Sequence, residues 1–462
     1  MKKEIPVKKD GKYNIQIDGL GSSGEGVGRL DGFTIFVDGA LPEEYIEVKI
    51  TKVKSNYAIG NLESIIQPSP YRISSPCSIA DRCGGCQIQQ MDYQKQLEYK
   101  QQLVRDNIER IGKLKDVIIH PTIGMKNPFN YRNKAQFPIG IKDGKAILGF
   151  YAKRSHKIVA HHNCLIQHPV NNKITPIVKE YIDENNVSIY DEENHQGLLR
   201  HLVTRVGFIT GEIMVILVAN GKNLPNIKDL IKRLTNEAPE IVSIYININK
   251  GKTNVVLGRE NKLIYGKEKI EDYIGDIKFK ISPLSFYQVN PIQTEVLYEK
   301  ALEYADLQGN ETVYDAYCGI GTISLFLAQR AKKVIGIEVI PEAIEDAREN
   351  ARINKINNVA FHVGKAEEIM PQLFREGEKA DLVVVDPPRK GCDRKLLDTI
   401  IQMKAKKMVY VSCNPSTLAR DLNYLEKGGF TVKEIQPVDL FPHTGHVECV
   451  ILMQRSGLKD KK

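Results

Sequence analysis

The sequence predicts an α/β fold. A doubly wound, mostly parallel sheet is expected over residues 286–462, a small all-β unit over 8–66 and a mixed α+β region over 67–285. Three observations carry this. From about Pro291 short apolar runs alternate with amphipathic runs, the pattern of a sheet covered by helices on both faces. Near the N-terminus, β-rich runs alternate with glycines. The length of 462 residues suggests roughly two to four domains.

The first unit rests on YNIQIDGL, FTIFVDGA and YIEVKITKVKSNYAIGNLESII. Between them lies GLGSSGEGVGRLDG, which resembles a phosphate loop by composition only. It has no Gly-Lys-Ser/Thr ending and no helical pattern after it, so a Walker loop is excluded and a tight loop in a small barrel is expected. A Pro-rich linker, PSPYRISSPC, follows. Then come a group of cysteines and a long polar helix from about Tyr93 to Ile111. In the middle region IYININK, TNVVLG and DIKFKIS read as strands, PIVKEYIDE and LPNIKDLIKRLTN as helices. In the last third the predicted order is helix PIQTEVLYEKALEYADL, strand TVYDAYCG, helix GTISLFLAQRA, strand KVIGIEVI and helix PEAIEDARENARINK. Strands VAFHV and DLVVVDPP, helix RKLLDTIIQM and strand KMVYVSCNP complete it.

Hydrophobic residues make up 42% and charged residues 26%, an ordinary globular composition that argues against disorder. No run approaches the about 20 apolar residues of a spanning helix. The basic start MKKEIPVKKD lacks the apolar stretch of a signal peptide, so a cytoplasmic protein is expected. Eight cysteines are too few for a disulfide scaffold and read as thiols, metal ligands or nucleophiles. The net charge of +8 is unevenly spread: residues 1–66 carry −1, residues 67–285 carry +10 and residues 286–462 carry −1. Its densest part, residues 120–168, holds Lys126, Arg132, Lys134, Lys142, Lys145, Lys153, Arg154 and Lys157 against Asp143 alone. Five histidines (His120, His156, His161, His162, His168) and the aromatics Phe129, Tyr131, Phe137, Phe150 and Tyr151 are interleaved. Cations among aromatics suit phosphate contact with base stacking; a solvated basic face over core aromatics is the plainer alternative.

In open α/β sheets ligands bind at the carboxyl ends of the strands. Four such ends carry informative residues. Asp315-Ala316-Tyr317-Cys318-Gly319-Ile320-Gly321 has glycines that let backbone approach a ligand. Ser324 stands where the dinucleotide fingerprint needs its third glycine, which disfavours NAD. A nucleoside cofactor without a pyrophosphate fits better, and S-adenosylmethionine is the common one. Glu338 ends the next strand and can accept ribose hydroxyls. Asp386 ends another in Asp386-Pro387-Pro388-Arg389. Cys413 follows MVYVS in Ser412-Cys413-Asn414-Pro415. A thiolate is suited to add to C6 of a pyrimidine and so activate C5 towards a methyl cation. A base must then remove the C5 proton, and Glu448 is the candidate. A buried core cysteine and a surface acid are the plain alternatives.

Cys77-x5-Cys83-Gly84-Gly85-Cys86, with Cys164 far downstream, offers four thiolates for zinc or a 4Fe–4S cluster. Structural zinc more often uses two paired knuckles, and one is present. Cys318, Cys392 and Cys449 lack such spacing.

Taken together the sequence resembles the RNA uracil-5-methyltransferases. The resemblance rests on Cys77-x5-Cys83-x2-Cys86 with Cys164, Phe286-Tyr287-Gln288-Val289-Asn290, Asp315 to Gly321, Asp386-Pro387-Pro388-Arg389, Ser412-Cys413-Asn414-Pro415 and His443-Thr444-Gly445-His446-Val447-Glu448, nearly end to end. Tyr287 departs from the phenylalanine of many relatives. The resemblance implies a Rossmann-like methyltransferase domain (286–462), a TRAM domain of OB-like β-barrel form (8–66) and a central α+β RNA-binding and iron–sulfur domain (67–285), whose helix at 93–112 packs on the catalytic domain. It implies S-adenosylmethionine held by Gln288, Tyr317, Glu338 and Asp386, Cys413 as nucleophile and Glu448 as proton acceptor. It implies a 4Fe–4S cluster on Cys77, Cys83, Cys86 and Cys164, and RNA contact by Arg132 and Lys134. The substrate expected is 23S ribosomal RNA, with transfer RNA as the alternative, for a monomer acting away from membranes. Competing readings are an exocyclic-nitrogen methyltransferase, disfavoured by Arg389 where an aromatic would stack, a cytosine-5 enzyme, and a non-catalytic RNA-binding iron–sulfur protein.

Overall fold

The computed structural model describes residues 5–161 and 163–455; His162 lies outside them. The N-terminal unit is a closed barrel of β1 (Lys12–Leu20), β2 (Gly26–Leu30), β3 (Phe33–Asp38), β4 (Tyr45–Val53) and β5 (Tyr57–Gln67), in the order β1-β2-β3-β5-β4. Alternate residues point inward, so Ile15, Ile17, Ile35, Val37, Ile46, Val48, Ile50 and Ala58 fill it. The glycine-rich run is only partly a loop, because Gly26–Leu30 pairs on both sides as β2. Gly28 has no room for a side chain, as a Cβ there would lie 2.5 Å from the Gln16 carbonyl.

The predicted polar helix is α1 (Tyr93–Arg110). Asp92 caps it, accepting from the backbone of Gln94 and Lys95. Its buried stripe runs Gln96, Lys100, Val104, Ile108, one residue per turn. Val104 and Ile108 join the core of the C-terminal sheet. The short β6 (Ile118–Ile119) then adds to that sheet's edge.

The middle region builds a second sheet. Its elements are β7 (Lys134–Lys142), β8 (Lys145–Tyr151), β9 (Ile158–Ala160), α2 (Asn171–Glu184), β10 (Leu199–Val206), β11 (Ile213–Ala219), α3 (Ile227–Glu237), β12 (Ile241–Ile248) and β13 (Glu260–Gly266). The order is β13-β12-β11-β10-β7-β8-β9. Residues 253–258, TNVVLG, are not a strand: Asn247 and Asn249 side chains take the carbonyls of Gly258, Val255 and Val256 and hold the segment as a loop. Tyr131 and Phe137 are buried, so those aromatics serve the core. A hairpin, β14 (Ile270–Ile274) and β15 (Ile277–Ile281), packs on the C-terminal sheet through Phe279 and Ile281.

The C-terminal region comprises α4 (Pro291–Ala305), β16 (Thr312–Ala316), α5 (Thr322–Ala328), β17 (Lys333–Glu338), α6 (Pro341–Ile353), β18 (Val359–Val363), α7 (Ala366–Arg375), β19 (Leu382–Val385), α8 (Arg394–Met403), β20 (Lys407–Ser412), α9 (Pro415–Lys427), β21 (Phe430–Val438) and β22 (Glu448–Arg455). Its sheet runs β18-β17-β16-β19-β20-β22-β21-β6. The first five strands are parallel, and β22 lies antiparallel between β20 and β21. The sheet is buried on both faces, which explains the unbroken apolar runs of β16 to β20. The fold is therefore the expected α/β one, a doubly wound, mostly parallel sheet preceded in the chain by a small barrel. Among the described residues no helix is long and apolar enough to cross a membrane.

Candidate active site and cysteine-lined cavity

The turn after β16 is shaped by Tyr317 at φ +72° and Gly321 at φ +83°. Backbone N–H groups of Tyr317 and Cys318 donate to the Ile337 carbonyl at 2.9 and 3.0 Å, which ties the turn to β17. Gly319 donates to Glu338 at 3.2 Å, and the other oxygen of Glu338 accepts from Val339 and Ile340. A Cβ on Gly319 would meet nothing within 4 Å, so the turn faces open space. Asp315 is buried and accepts from the Ser324 hydroxyl at 2.5 Å, while its Oδ1 has no partner. Burial pushes its carboxyl up to about 7, the Ser324 hydrogen bond opposing and the Asp386 and Glu338 charges adding to the rise.

Asp386 follows β19, half-buried, and burial pushes it up to about 7 as well. Cys413 follows β20. Ser412 and Cys449 are paired partners across β20 and β22, so the next position on each strand sets Cys413 against Glu448. Cys413 is half-buried and Glu448 buried. Burial pushes the Cys413 thiol up to about 11, with the charges of Glu448 and Asp386 adding to it and Arg389 opposing. Burial also pushes Glu448 well above the usual carboxylate range; Asp386 adds to this and Arg389 opposes it. Gln288, buried, is held at its carbonyl by the Asn133 amide at 2.9 Å.

Tyr317, Glu338, Asp386 and Cys413 thus lie at carboxyl strand ends of one sheet, with Glu448 opposite Cys413, and Gln288 lies in the segment before α4. Acids held close together at low polarity suit a ligand that brings hydroxyl donors and a positive charge. Asp315 with its unpartnered oxygen, and Arg389, the cation that opposes both raised shifts, belong to the same group. The sequence pattern alone gives Asp315 no role beyond opening the loop and marks Arg389 only as not aromatic.

The four cysteines line one cavity of about 350 Å³, together with Arg132, Lys134 and Gln136. Cys83 accepts from the Gly85 N–H at 3.4 Å. Burial pushes the Cys164 thiol up to about 11, with hydrogen bonds from Ile166 and Gln167 opposing. Among the described residues no group of His, Cys, Asp or Glu is drawn together tightly enough to hold a metal ion. The cavity has room for a larger group, and its walls carry cations. Arg132 and Lys134 are half-buried on this wall. Burial and the neighbouring Arg205 and Arg132 push Lys134 down to about 7. A half-buried cation on a cavity wall whose lining holds no Asp or Glu suits an anionic occupant.

A family model described as tRNA (uracil-5-)-methyltransferase matches residues 92–456. A TRAM domain model matches residues 9–62, the barrel. An uncharacterized RNA methyltransferase of Clostridium tetani is 55% identical over 461 residues, covering 100% of both chains. Another from Halalkalibacterium halodurans is 52% identical, covering 98% of this chain and 99% of the relative. The crystal structure of Pyrococcus abyssi tRNA (uracil-54, C5)-methyltransferase in complex with S-adenosyl-L-homocysteine is 29% identical, with a TM-score of 0.77, covering 96% of this chain and 100% of that one. The family model over most of the chain and the full-length relatives show that the chain belongs to the tRNA (uracil-5-)-methyltransferase family of RNA methyltransferases and carries an N-terminal TRAM domain.

Proposed function

We propose that this protein methylates C5 of uridine in RNA, using S-adenosylmethionine, with Cys413 as nucleophile and Glu448 as proton acceptor. The observation that carries it is the opposition of Cys413 and Glu448 beyond the Ser412–Cys449 pair, beside Asp386 at the next strand end. Glu338 would take the ribose hydroxyls, with Tyr317, Gln288 and Asp386 lining the rest of the crevice. When bound, S-adenosylmethionine supplies an electrophilic methyl group on a cationic sulfur, which leaves as a neutral thioether. The Cys413 thiolate adds to C6 of the uracil, which makes C5 the nucleophile for that methyl group. The Glu448 carboxylate accepts the proton of the methylated C5. Re-forming the C5–C6 double bond expels Cys413 as the thiolate. In the free site burial favours the protonated form of both the thiol and the carboxyl. A cation bound beside Asp386 favours the ionised form of both.

Cys77, Cys83, Cys86 and Cys164 would hold a 4Fe–4S cluster; the cation-walled cavity supports this reading. Arg132 and Lys134 would offset its charge and also add positive potential where RNA approaches. The working division is a barrel at 8–66, a central RNA-binding and iron–sulfur region at 67–285 and a catalytic region at 286–462, in a cytoplasmic monomer. The substrate proposed is 23S ribosomal RNA, since barrel, cluster and methyltransferase sheet together resemble those enzymes. Transfer RNA is the second reading, favoured by the Pyrococcus abyssi neighbour, a tRNA (uracil-54, C5)-methyltransferase.

Purified protein with S-adenosylmethionine and 5-fluorouridine-containing RNA is expected to give an adduct stable to denaturation, absent in Cys413→Ala. Active wild-type protein without an adduct would overturn the nucleophile. Mapping 5-methyluridine in ribosomal and transfer RNA from a deletion strain decides the substrate.

A further inference from the structure

Glu448 is preceded by a loop, Asp439 to Gly445, whose start α4 holds through Asn290 and Gln293, donating to the Leu440 and Asp439 carbonyls at 3.0 and 3.2 Å, and whose remaining anchors come from upstream of the C-terminal region. The Lys100 ammonium donates to Asp439 Oδ1 at 2.5 Å, and both side chains are fully buried. The same ammonium donates to the Phe441 carbonyl at 3.0 Å. The Tyr93 hydroxyl donates to Asp439 Oδ2 at 2.9 Å and accepts from the Met125 N–H at 2.8 Å. Gln96 accepts from the His443 N–H at 3.0 Å. The His443 carbonyl accepts from the Gln87 and Ile88 N–H groups, just past Cys86, at 3.0 and 3.1 Å. The Tyr131 hydroxyl donates to the Pro442 carbonyl at 3.1 Å. Gly445 packs so closely on the barrel loop that a Cβ there would lie 2.8 Å from the Gly24 nitrogen. His443 itself sits at φ +68°, a conformation rare for a side chain of this size.

A fully buried ion pair is a poor way to gain stability, because desolvation offsets the attraction. Here it fixes the loop that delivers Glu448 to its place opposite Cys413. We infer that Lys100, through Asp439 and with Tyr93, is a positioning residue for the proton acceptor, so that the helix between the cysteine segment and the catalytic sheet sets the step that releases RNA. This rests on Glu448 being the base.

The test is single-turnover chemistry with unmodified RNA on full-length Lys100→Met, Tyr93→Phe and Glu448→Gln proteins. Methyl transfer, covalent adduct and free methylated RNA are each followed in time. Glu448→Gln is the benchmark; if it does not accumulate methylated adduct, the reading of Glu448 fails first. Given that benchmark, Lys100→Met should transfer methyl normally yet release RNA about tenfold more slowly, as expected for a misplaced group. Its S-adenosylmethionine affinity should stay at the wild-type value. Tyr93→Phe removes one hydroxyl, keeps the packing, and should show the same adduct build-up to a smaller extent; it decides the matter if Lys100→Met does not fold. Wild-type release in a folded variant, or equal loss of methyl transfer and release, overturns the proposal.

Discussion

Cys413 stands opposite Glu448 where the antiparallel strands β20 and β22 part, one residue beyond the paired Ser412 and Cys449. Thirty-four residues of chain, including α9 and β21, separate the two in sequence. The pairing places a thiol and a carboxyl at one strand end, both raised by burial. Most of the expected behaviour follows from that.

The Cys413 thiol should be slow to alkylate in the free protein. With its pKa pushed up to about 11, about one thiol in a thousand is ionised at pH 8. The rate of iodoacetamide labelling of the Cys413 peptide, read by mass spectrometry, should rise steadily between pH 8 and 10.5. S-adenosylmethionine should speed it at fixed pH, since a sulfonium cation beside Asp386 favours the thiolate. Labelling that saturates below pH 8 would contradict the buried-thiol account.

Glu448→Gln should bind S-adenosylmethionine and RNA yet turn over at least about a hundredfold more slowly, the range general-base removal gives. Covalent RNA should accumulate, visible as a slower band on denaturing gels. Normal turnover would remove Glu448 from the mechanism.

Asp386→Asn should stabilise the fold at neutral and alkaline pH while weakening S-adenosylmethionine binding. A carboxyl whose pKa is raised to about 7 on folding binds its proton more tightly folded than unfolded. Its destabilisation is absent below the unfolded value near 4, grows as pH rises from there, and levels off above about 7. Thermal melts should therefore show a higher Tm for the variant at pH 8 and no gain at pH 3.5. A variant less stable than wild type at pH 8 would count against it.

Lys134→Met separates two roles for the cavity-wall cations. If Lys134 offsets an anionic cluster, anaerobic reconstitution with iron and sulfide should leave the variant with less iron than wild type and with faster bleaching in air. If it touches phosphate, the slope of log affinity for RNA against log salt should fall by about 1. Arg132→Gln should follow the same pattern. S-adenosylmethionine affinity should not change in either. Colourless wild-type protein carrying zinc instead would refute the iron–sulfur proposal.

Much was legible in the chain itself. Unbroken apolar runs ending in Asp315, Glu338, Asp386 and Cys413 marked parallel strands and their ligand ends, because period and strand-end chemistry are local properties. The cation–aromatic stretch is legible only in part. Tyr131 and Phe137 are core residues, and Lys134 lines a cavity, since alternation along a strand cannot say which face is covered. Gln96 and Lys100, two polar residues in the stripe that Val104 and Ile108 continue, signal a buried polar contact, but their partners His443 and Asp439 lie too far along the chain for a local pattern to name.

The sequence by itself determined the α/β class, the barrel ahead of it, and the residues fit for thiol, carboxylate and cofactor chemistry, because these follow from residue type and short-range spacing. The tertiary structure alone decided which of them meet. Strand β22, inserted antiparallel between β20 and β21, brings Glu448 to Cys413, and α1, more than three hundred residues upstream of Asp439, locks the loop before it. Such contacts depend on strand order and on the pairing of buried charges across the chain, and neither is written in any local stretch of it.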